Sequence, residues 1–202
     1  TENHAQSSGG ALVVQGECVF NMYGGKITGN TARNASVINV LGDNSRVTFE
    51  NTQITGNQNT GTVGYGAINC ANSSAKITLT GKTVVYDNLN KDGNQANMYL
   101  QNYAGVVYDV SGLTNGAKVG ISMIAERISS GYLYFSTAMT ATPGFCVSDD
   151  PAYMVELDDQ NRLALAKSTV PPVQTHTHGI CGDSACADGV FLPSVLLSGL
   201  RS

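Results

Sequence analysis

From residue 11 to residue 100 the chain alternates apolar and polar side chains over short stretches rich in β-branched residues and broken by Gly or Asn. Alternation at i and i+2 is the period of a half-buried strand, so this region reads as strands and turns without helix. The stretches also repeat. Setting "CVFNMYGGKITGN" (18–30) over "RVTFENTQITGN" (46–57) and "KITLTGKTVVYDN" (76–88) gives three apolar columns. Phe20, Val47 and Ile77 form one, Met22, Phe49 and Leu79 the next, and Ile27, Ile54 and Val84 a third, at offsets of 27 and then 30 residues. A second set interleaves with the first: "ALVV" (11–14), "VINV" (37–40), "AINC" (67–70) and "NMYL" (97–100). Ile38, Ile68 and Met98, and likewise Val40, Cys70 and Leu100, recur every 30 residues.

Two column sets marching at one period imply stacked units, because periods of 20 to 50 residues mark solenoids, propellers and arrays. A propeller blade needs four antiparallel strands and their hairpin turns, and these units are shorter and lack them. The predicted fold is therefore all-β: a right-handed parallel β-helix of about four coils, its hand set by the rule for parallel crossovers. In such a stack each side chain lies about 4.8 Å from its counterpart in the next coil. Like charges at that distance repel by about 1 kcal/mol even in water. Charged residues make up only 13% of the chain, about half the usual share of roughly 25%, with Asn, Thr, Ser and 23 Gly supplying the polarity. Asn30, Asn57 and Asn88 are expected to form a ladder at one corner, in left-handed backbone, with each amide bonded to the next coil. Gly29 and Gly56 would supply the bend. In the third coil Tyr86 and Asp87 stand in that place, with one residue added.

Charge narrows the partners. The net charge is −4, and the 11 Lys and Arg are scattered, which leaves no basic footprint for a nucleic-acid backbone. No apolar run approaches the roughly 20 residues that span a bilayer, and no charged and apolar leader opens the chain. Starting at Thr1 without a Met, the sequence reads as a mature product or an excised piece. Five cysteines, at 18, 70, 146, 181 and 186, are too few and too dispersed for a disulfide framework. Cys70, between Val40 and Leu100 in its column, reads as a buried core thiol.

"GGAL" (9–12), its echo "YGAI" (65–68) and "ITGN" (27–30 and 54–57) resemble the short repeats of bacterial adhesin-like surface proteins. Those repeats pair a Gly-Gly-Ala-Ile type motif with a Phe-x-x-Asn type motif, as in the polymorphic outer membrane proteins and the large β-helical surface proteins of gut bacteria. Ile27 and Ile54 stand where Phe is usual. The resemblance covers about residues 9 to 105. It implies a pectin-lyase-like β-helix, secreted or at a bacterial cell surface.

Beyond residue 105 the pattern loosens. "GVVYDVSGLTNGAKVGISM" (105–123) alternates around a "TNG" turn, "GYLYF" (131–135) and "FCV" (145–147) read as strands, and "SMIAERI" (122–128) reads as a helical turn too short to assign. "YMVELDDQNRLALA" (153–166) reads as a hairpin with its loop at Asp158 to Asn161. An open solenoid end exposes core and strand edge, so residues 106–167 are expected to form a β-rich cap on the repeats of 1–105. The wording "SDDPAYMVELDDQNRLALA" (148–166) also resembles the segment that follows such repeats in Gram-positive surface proteins. Pro171 and Pro172 open a linker, and 168–202 is a His- and Cys-containing tail.

The tail holds the sharpest constellation, His176, His178, Cys181 and Cys186 in "HTHGICGDSAC". Two imidazoles and two thiolates suit tetrahedral zinc, but the spacing matches no familiar zinc module, and the alternatives are a Cys181–Cys186 disulfide or a tail with neither. The stretch resembles His- and Cys-rich connectors of secreted Gram-positive proteins, with Gly179 where a further Cys often stands. No other cofactor is expected. "NLNKDG" (88–93) has the early spacing of a calcium loop, yet Tyr99 occupies the place of the bidentate Glu, so a turn is expected there.

Many β-helices cut acidic polysaccharides, which requires clustered carboxylates with a basic partner, or carboxylate pairs about 5 to 10 Å apart. Here Glu50 has Tyr23 and Thr80 as column neighbours, and no column carries two acids. His4, His176 and His178 are read as lying outside the repeat. Catalysis within this chain is not expected. Tyr23, Tyr65, Tyr86, Tyr99 and Tyr103 could offer faces to sugars, or Tyr99 and Tyr103 could pack under the cap. The expected role is that of a non-catalytic β-helix, adhesive or structural, meeting glycans or host surface proteins. The alternatives are a fragment of a polysaccharide lyase or glycoside hydrolase, and a plain spacer.

Overall fold

The structure, a computed structural model, describes residues 2–62, 65–70, 74–100, 107–123, 133–138 and 144–168, the stretch 133–138 by its backbone alone. Residues 1–171 form one compact unit. The predicted helical turn at 122–128 lies outside the described residues from 124 onward, and so do Tyr103 and the whole tail constellation.

The repeat folds as predicted, into a parallel β-solenoid of about four coils. Each coil begins at an asparagine and runs through strands on successive walls. The first comprises β1 (His4–Ser8), β2 (Leu12–Val14), β3 (Val19–Tyr23) and β4 (Lys26–Ile27). The second comprises β5 (Thr31–Asn34), β6 (Ile38–Val40), β7 (Arg46–Glu50) and β8 (Gln53–Ile54), and the third β9 (Gln58–Asn59), β10 (Ile68–Cys70), β11 (Lys76–Gly81) and β12 (Val84–Val85). The fourth contains β13 (Met98–Leu100), β14 (Val107–Leu113) and β15 (Lys118–Met123). Pairing is parallel within the walls β1-β5-β9, β2-β6-β10-β13 and β3-β7-β11-β14, and along β4-β8-β12.

The register reproduces the apolar columns. Phe20 pairs with Val47 and Val47 with Ile77, Met22 with Phe49 and Phe49 with Leu79, and Ile38 with Ile68 and Ile68 with Met98. Ile27 sits on Ile54. These side chains form one continuous core in which Val47, Phe49, Ile54, Ile68, Ile77, Leu79 and Met98 are fully buried. Cys70 is among them, as its column implied.

Two local expectations are corrected. Val85, not Val84, continues the Ile27–Ile54 column, since Val84 pairs with Gln53 and Val85 with Ile54. The added residue lies earlier, at the end of β11, where Gly81 takes a left-handed φ of 62°. "VYDN" then superposes on "ITGN" without an insertion. The ladder asparagines are also not the left-handed residues. That conformation belongs to the residue before each of them: Gly29 (φ 72°), Gly56 (φ 65°) and Asp87 (φ 55°). Asp tolerates the left-handed region better than most residues but not without cost.

The parallel pairing continues into the segment assigned to the cap. β14 pairs with β11, and β15 pairs with both β12 and β13, joining two walls that the earlier coils keep apart. β17 (Cys146–Ser148) adds in parallel to β15. The final piece is antiparallel: β16 (Leu133–Ala138), β19 (Arg162–Lys167) and β18 (Tyr153–Leu157), in that spatial order. The predicted hairpin is present. Asn161, at a φ of 57°, completes its turn, and the Asp158 carboxylate accepts from the Gln160 and Arg162 N–H groups and from Arg162 Nε. Leu163 and Leu165 of β19 are buried in the same core as the coils, which is the covering that the end of a solenoid needs.

Asp87→Gly removes the left-handed side-chain cost and is expected to leave stability unchanged or raise it by up to about 1 kcal/mol. Gly56→Ala adds that cost and should lower stability by roughly 1–2 kcal/mol. Urea unfolding of the two variants checks this, and equal losses would contradict the assignment.

Candidate functional site

The corner ladder extends beyond the three predicted rungs. Asn30 donates from both its backbone N–H and its Nδ2 to Asn57 Oδ1, at 3.0 and 2.9 Å. Asn57 does the same to Asn88 Oδ1, at 3.2 and 2.8 Å, and Asn3 to Asn30 Oδ1, at 3.1 and 2.9 Å. The remaining Nδ2 bonds close on carbonyls: Thr28 for Asn30, Ile27 and Thr55 for Asn57, and Ile54 and Tyr86 for Asn88. Asn30, Asn57 and Asn88 are buried, and each sends its backbone N–H and an amide N–H on to the next rung.

Such a chain of carboxamides has a direction. The rung-to-rung N–H groups all point toward the C-terminal end, so the last rung must meet an acceptor that has nothing to donate. After Asn88 the chain makes a short excursion in which Leu89 pairs with Gln58 and then, antiparallel, with Gln95. The excursion returns Asn97 above Asn88, whose N–H and Nδ2 donate to Asn97 Oδ1 at 3.1 and 2.9 Å. Asn97 N–H and Nδ2 in turn donate to Asp149, at 2.8 and 2.6 Å. Ser122 Oγ donates to the same carboxylate. The ladder therefore ends on an anion, the group that suits the donor end of aligned dipoles. Gly120 is required beside it, because a Cβ there would collide with the Asp149 carboxylate and the Asn97 amide.

Around this terminus lies a cavity of about 760 Å³. Its walls are the excursion at 90–96, the ends of β13 and β15, and the turn between β17 and β18. The excursion is a turn, as expected. Asn88 is committed to the ladder, while Asn90 Oδ1 accepts from the Asp92 and Asn94 N–H groups. Tyr99 and Tyr153 contribute aromatic surface to the cavity, and Asp150, Asn94 and Ser148 contribute polar atoms. Tyr99 is 5% exposed and meets Tyr65 edge to face at 5.3 Å. Tyr86 is occupied differently, with the Lys118 ammonium 3.3 Å from its ring centroid. Tyr23 is the exposed tyrosine of the first coil.

Comparison with protein-family models, curated proteins and solved structures gives no match. The reading of the site accordingly rests on its own chemistry.

The described carboxylates near the solenoid are mostly engaged. Asp109 bridges to Lys76 at 2.8 Å, and Asp92 to Lys91 at 2.6 Å. Although burial opposes it, hydrogen bonding from Lys76 and Ser111 holds the Asp109 carboxyl below the usual range. Glu50 has Tyr23 and Thr80 beside it, as expected. His4, however, is not outside the repeat. It lies in β1 opposite Thr31, with Nδ1 2.7 Å from Thr31 Oγ1, so the first coil carries an imidazole. Among the described residues no three His, Cys, Asp or Glu side chains gather as a metal site. His176, His178, Cys181 and Cys186 lie outside the described residues. Cys146 is buried, and burial pushes its thiol up to about 12, far from nucleophilic thiolate. No helix of the described residues is long and apolar enough to cross a membrane.

Asp149 and Asn97 had no sequence signal as a pair, since 52 residues separate them. Burial pushes the Asp149 carboxyl up, against the hydrogen bonds from Ser122 and Asn97 that favour the anion. A carboxyl raised in the folded state binds its proton more readily there than in the unfolded chain. Its contribution therefore favours folding as pH falls through the folded value toward the ordinary Asp range. The stability of the native protein relative to Asp149→Asn is expected to rise between pH 7 and pH 4. Urea melts of both proteins across that range test this, and a difference that falls with acidity would contradict it.

Proposed function

We propose that the protein is a non-catalytic β-helix with an adhesive or structural role, secreted or at a bacterial cell surface, that binds glycan. The observation that carries this reading is the cavity at the end of the ladder. It combines aromatic surface from Tyr99 and Tyr153 with amide, hydroxyl and carboxylate groups, the mixture that sugar rings require. The acids near it favour binding over catalysis. Asp149, the most shielded, already accepts three hydrogen bonds that close the ladder. An acid or base in glycoside cleavage needs a proton-transfer partner within hydrogen-bond reach of the substrate, and Asp149 is held by structural donors.

The adhesin-like repeats "GGAL" and "ITGN" support the surface location, and the pectin-lyase-like kinship implied by them supports the glycan class. Host surface proteins are the second class of partner, suited to the flat lateral wall β3-β7-β11-β14 with its outward Asn21, Thr48 and Thr78 column. A zinc ion held by His176, His178, Cys181 and Cys186 is a separate proposal for the tail. The lyase or hydrolase reading is the runner-up.

A glycan array probed with the purified chain, run beside an assay on acidic polysaccharides, tests the proposal. Retention of at least one glycan class without release of reducing or unsaturated sugars is expected. Release of unsaturated sugars would make the protein a lyase.

A further inference from the structure

The cavity's polar groups differ in how far they are already used, and that difference selects a ligand class. Asn90 Oδ1 takes the Asp92 and Asn94 N–H groups, and Ser148 Oγ is tied to the backbone of Asp150. The Asn97 amide and the Asp149 carboxylate belong to the ladder. Gln95 Oε1 accepts from Asn97 Nδ2 at 3.0 Å, and its Nε2 lies 3.4 Å from Asp87. Asn94 and Asp150 are exposed residues at the opening. One Asp150 oxygen accepts from the Ala152 N–H at 2.9 Å, which orients the carboxylate of this exposed residue.

The described lining holds two carboxylates and no Lys or Arg. The described Lys91 and Lys118 ammonium groups lie on Asp92 and on the Tyr86 ring. A ligand carrying its own carboxylate would thus meet like charge at Asp150 and Asp149, with no described cation in the lining to offset it. A neutral sugar meets no such penalty. Its hydroxyl groups can donate to the Asp150 carboxylate and exchange hydrogen bonds with the Asn94 amide, while its C–H face can rest on apolar lining such as Met123 and Pro151. The volume of about 760 Å³ is within the range of small-ligand sites and leaves room for more than one hexose ring.

We propose that this cavity binds the hexose units of a neutral glycan, with Asp150 and Asn94 as the residues that hold the ring hydroxyls, and that it rejects uronic-acid chains. The inference rests on the glycan-binding reading and narrows it. The described lining carries carboxylates without the basic partner that a lyase site for acidic polysaccharide requires.

The test is calorimetric titration of the full chain with maltotetraose, chitotetraose and tetragalacturonate, using the native protein, Asp150→Asn and Asn94→Ala. Both substitutions are at exposed positions outside the ladder, and urea melting confirms that the fold is kept. Binding of a neutral tetrasaccharide is expected, weakened about tenfold by Asp150→Asn as one charge-assisted hydrogen bond is lost and several-fold by Asn94→Ala. Tetragalacturonate should bind at least tenfold more weakly than the neutral ligand. Tighter binding of tetragalacturonate overturns the ligand class while leaving glycan binding intact. Neutral-sugar binding unchanged in both variants overturns the site. No binding to any of the three, together with an array that retains nothing, overturns glycan binding itself.

Discussion

The structure depends on a line of side-chain amides bonded from coil to coil. A stacked solenoid already satisfies its strand backbones wall by wall, but each corner leaves N–H and C=O groups pointing inward where water does not reach. An unpaired buried group costs roughly 1–3 kcal/mol. Asn30, Asn57 and Asn88 resolve this three ways at once. The carboxamide oxygen takes the backbone N–H and the amide of the rung before, and the carboxamide nitrogen closes on carbonyls of its own coil and the preceding one while binding the next rung. Register follows from it, since slipping one coil by one residue would leave both neighbours of a rung without partners.

The direction of the ladder explains features that otherwise look unrelated. A line of donors needs a terminal acceptor, and Asp149 supplies it from just after β17, the strand that begins the change from parallel coils to antiparallel cap. The fold-back at 90–96 lifts Asn97 into line, β15 merges two walls into one, and Gly120 leaves room for the meeting. The cavity is a by-product of this junction. Where the coil contracts and the cap begins, the layers no longer nest, and the gap is lined by residues of both.

Much of this was legible from spacing alone. The columns Phe20–Val47–Ile77 and Ile38–Ile68–Met98 appear in the sequence because equal coil lengths turn vertical contact into a fixed offset. The ladder asparagines were visible for the same reason. The misplacement of Val84 arose where that equality fails: one residue more separates Thr80 from Val84 than Glu50 from Gln53, and Gly81 absorbs it. Beyond residue 105 no repeat remains to fix offsets, so the continuation of the parallel walls into β14 and β15 left no periodic trace. Asp149 was invisible for a stronger reason. An acid in "SDDP" looks like any turn residue until the coil that it caps has been built, and Asp150 beside it is the same residue type with an exposed role.

Hydrogen exchange of individual amides tests the ladder most directly. Asn30 N–H donates to a side chain 27 residues away, not to a strand backbone. In Asn57→Ala, read by NMR against the core amide of Ile38 as the internal standard, the Asn30 amide should lose its protection while Ile38 keeps most of its own. If Asn30 stays as protected as before and faster exchange is confined to residues adjacent to position 57, the coils are not held together through their asparagines.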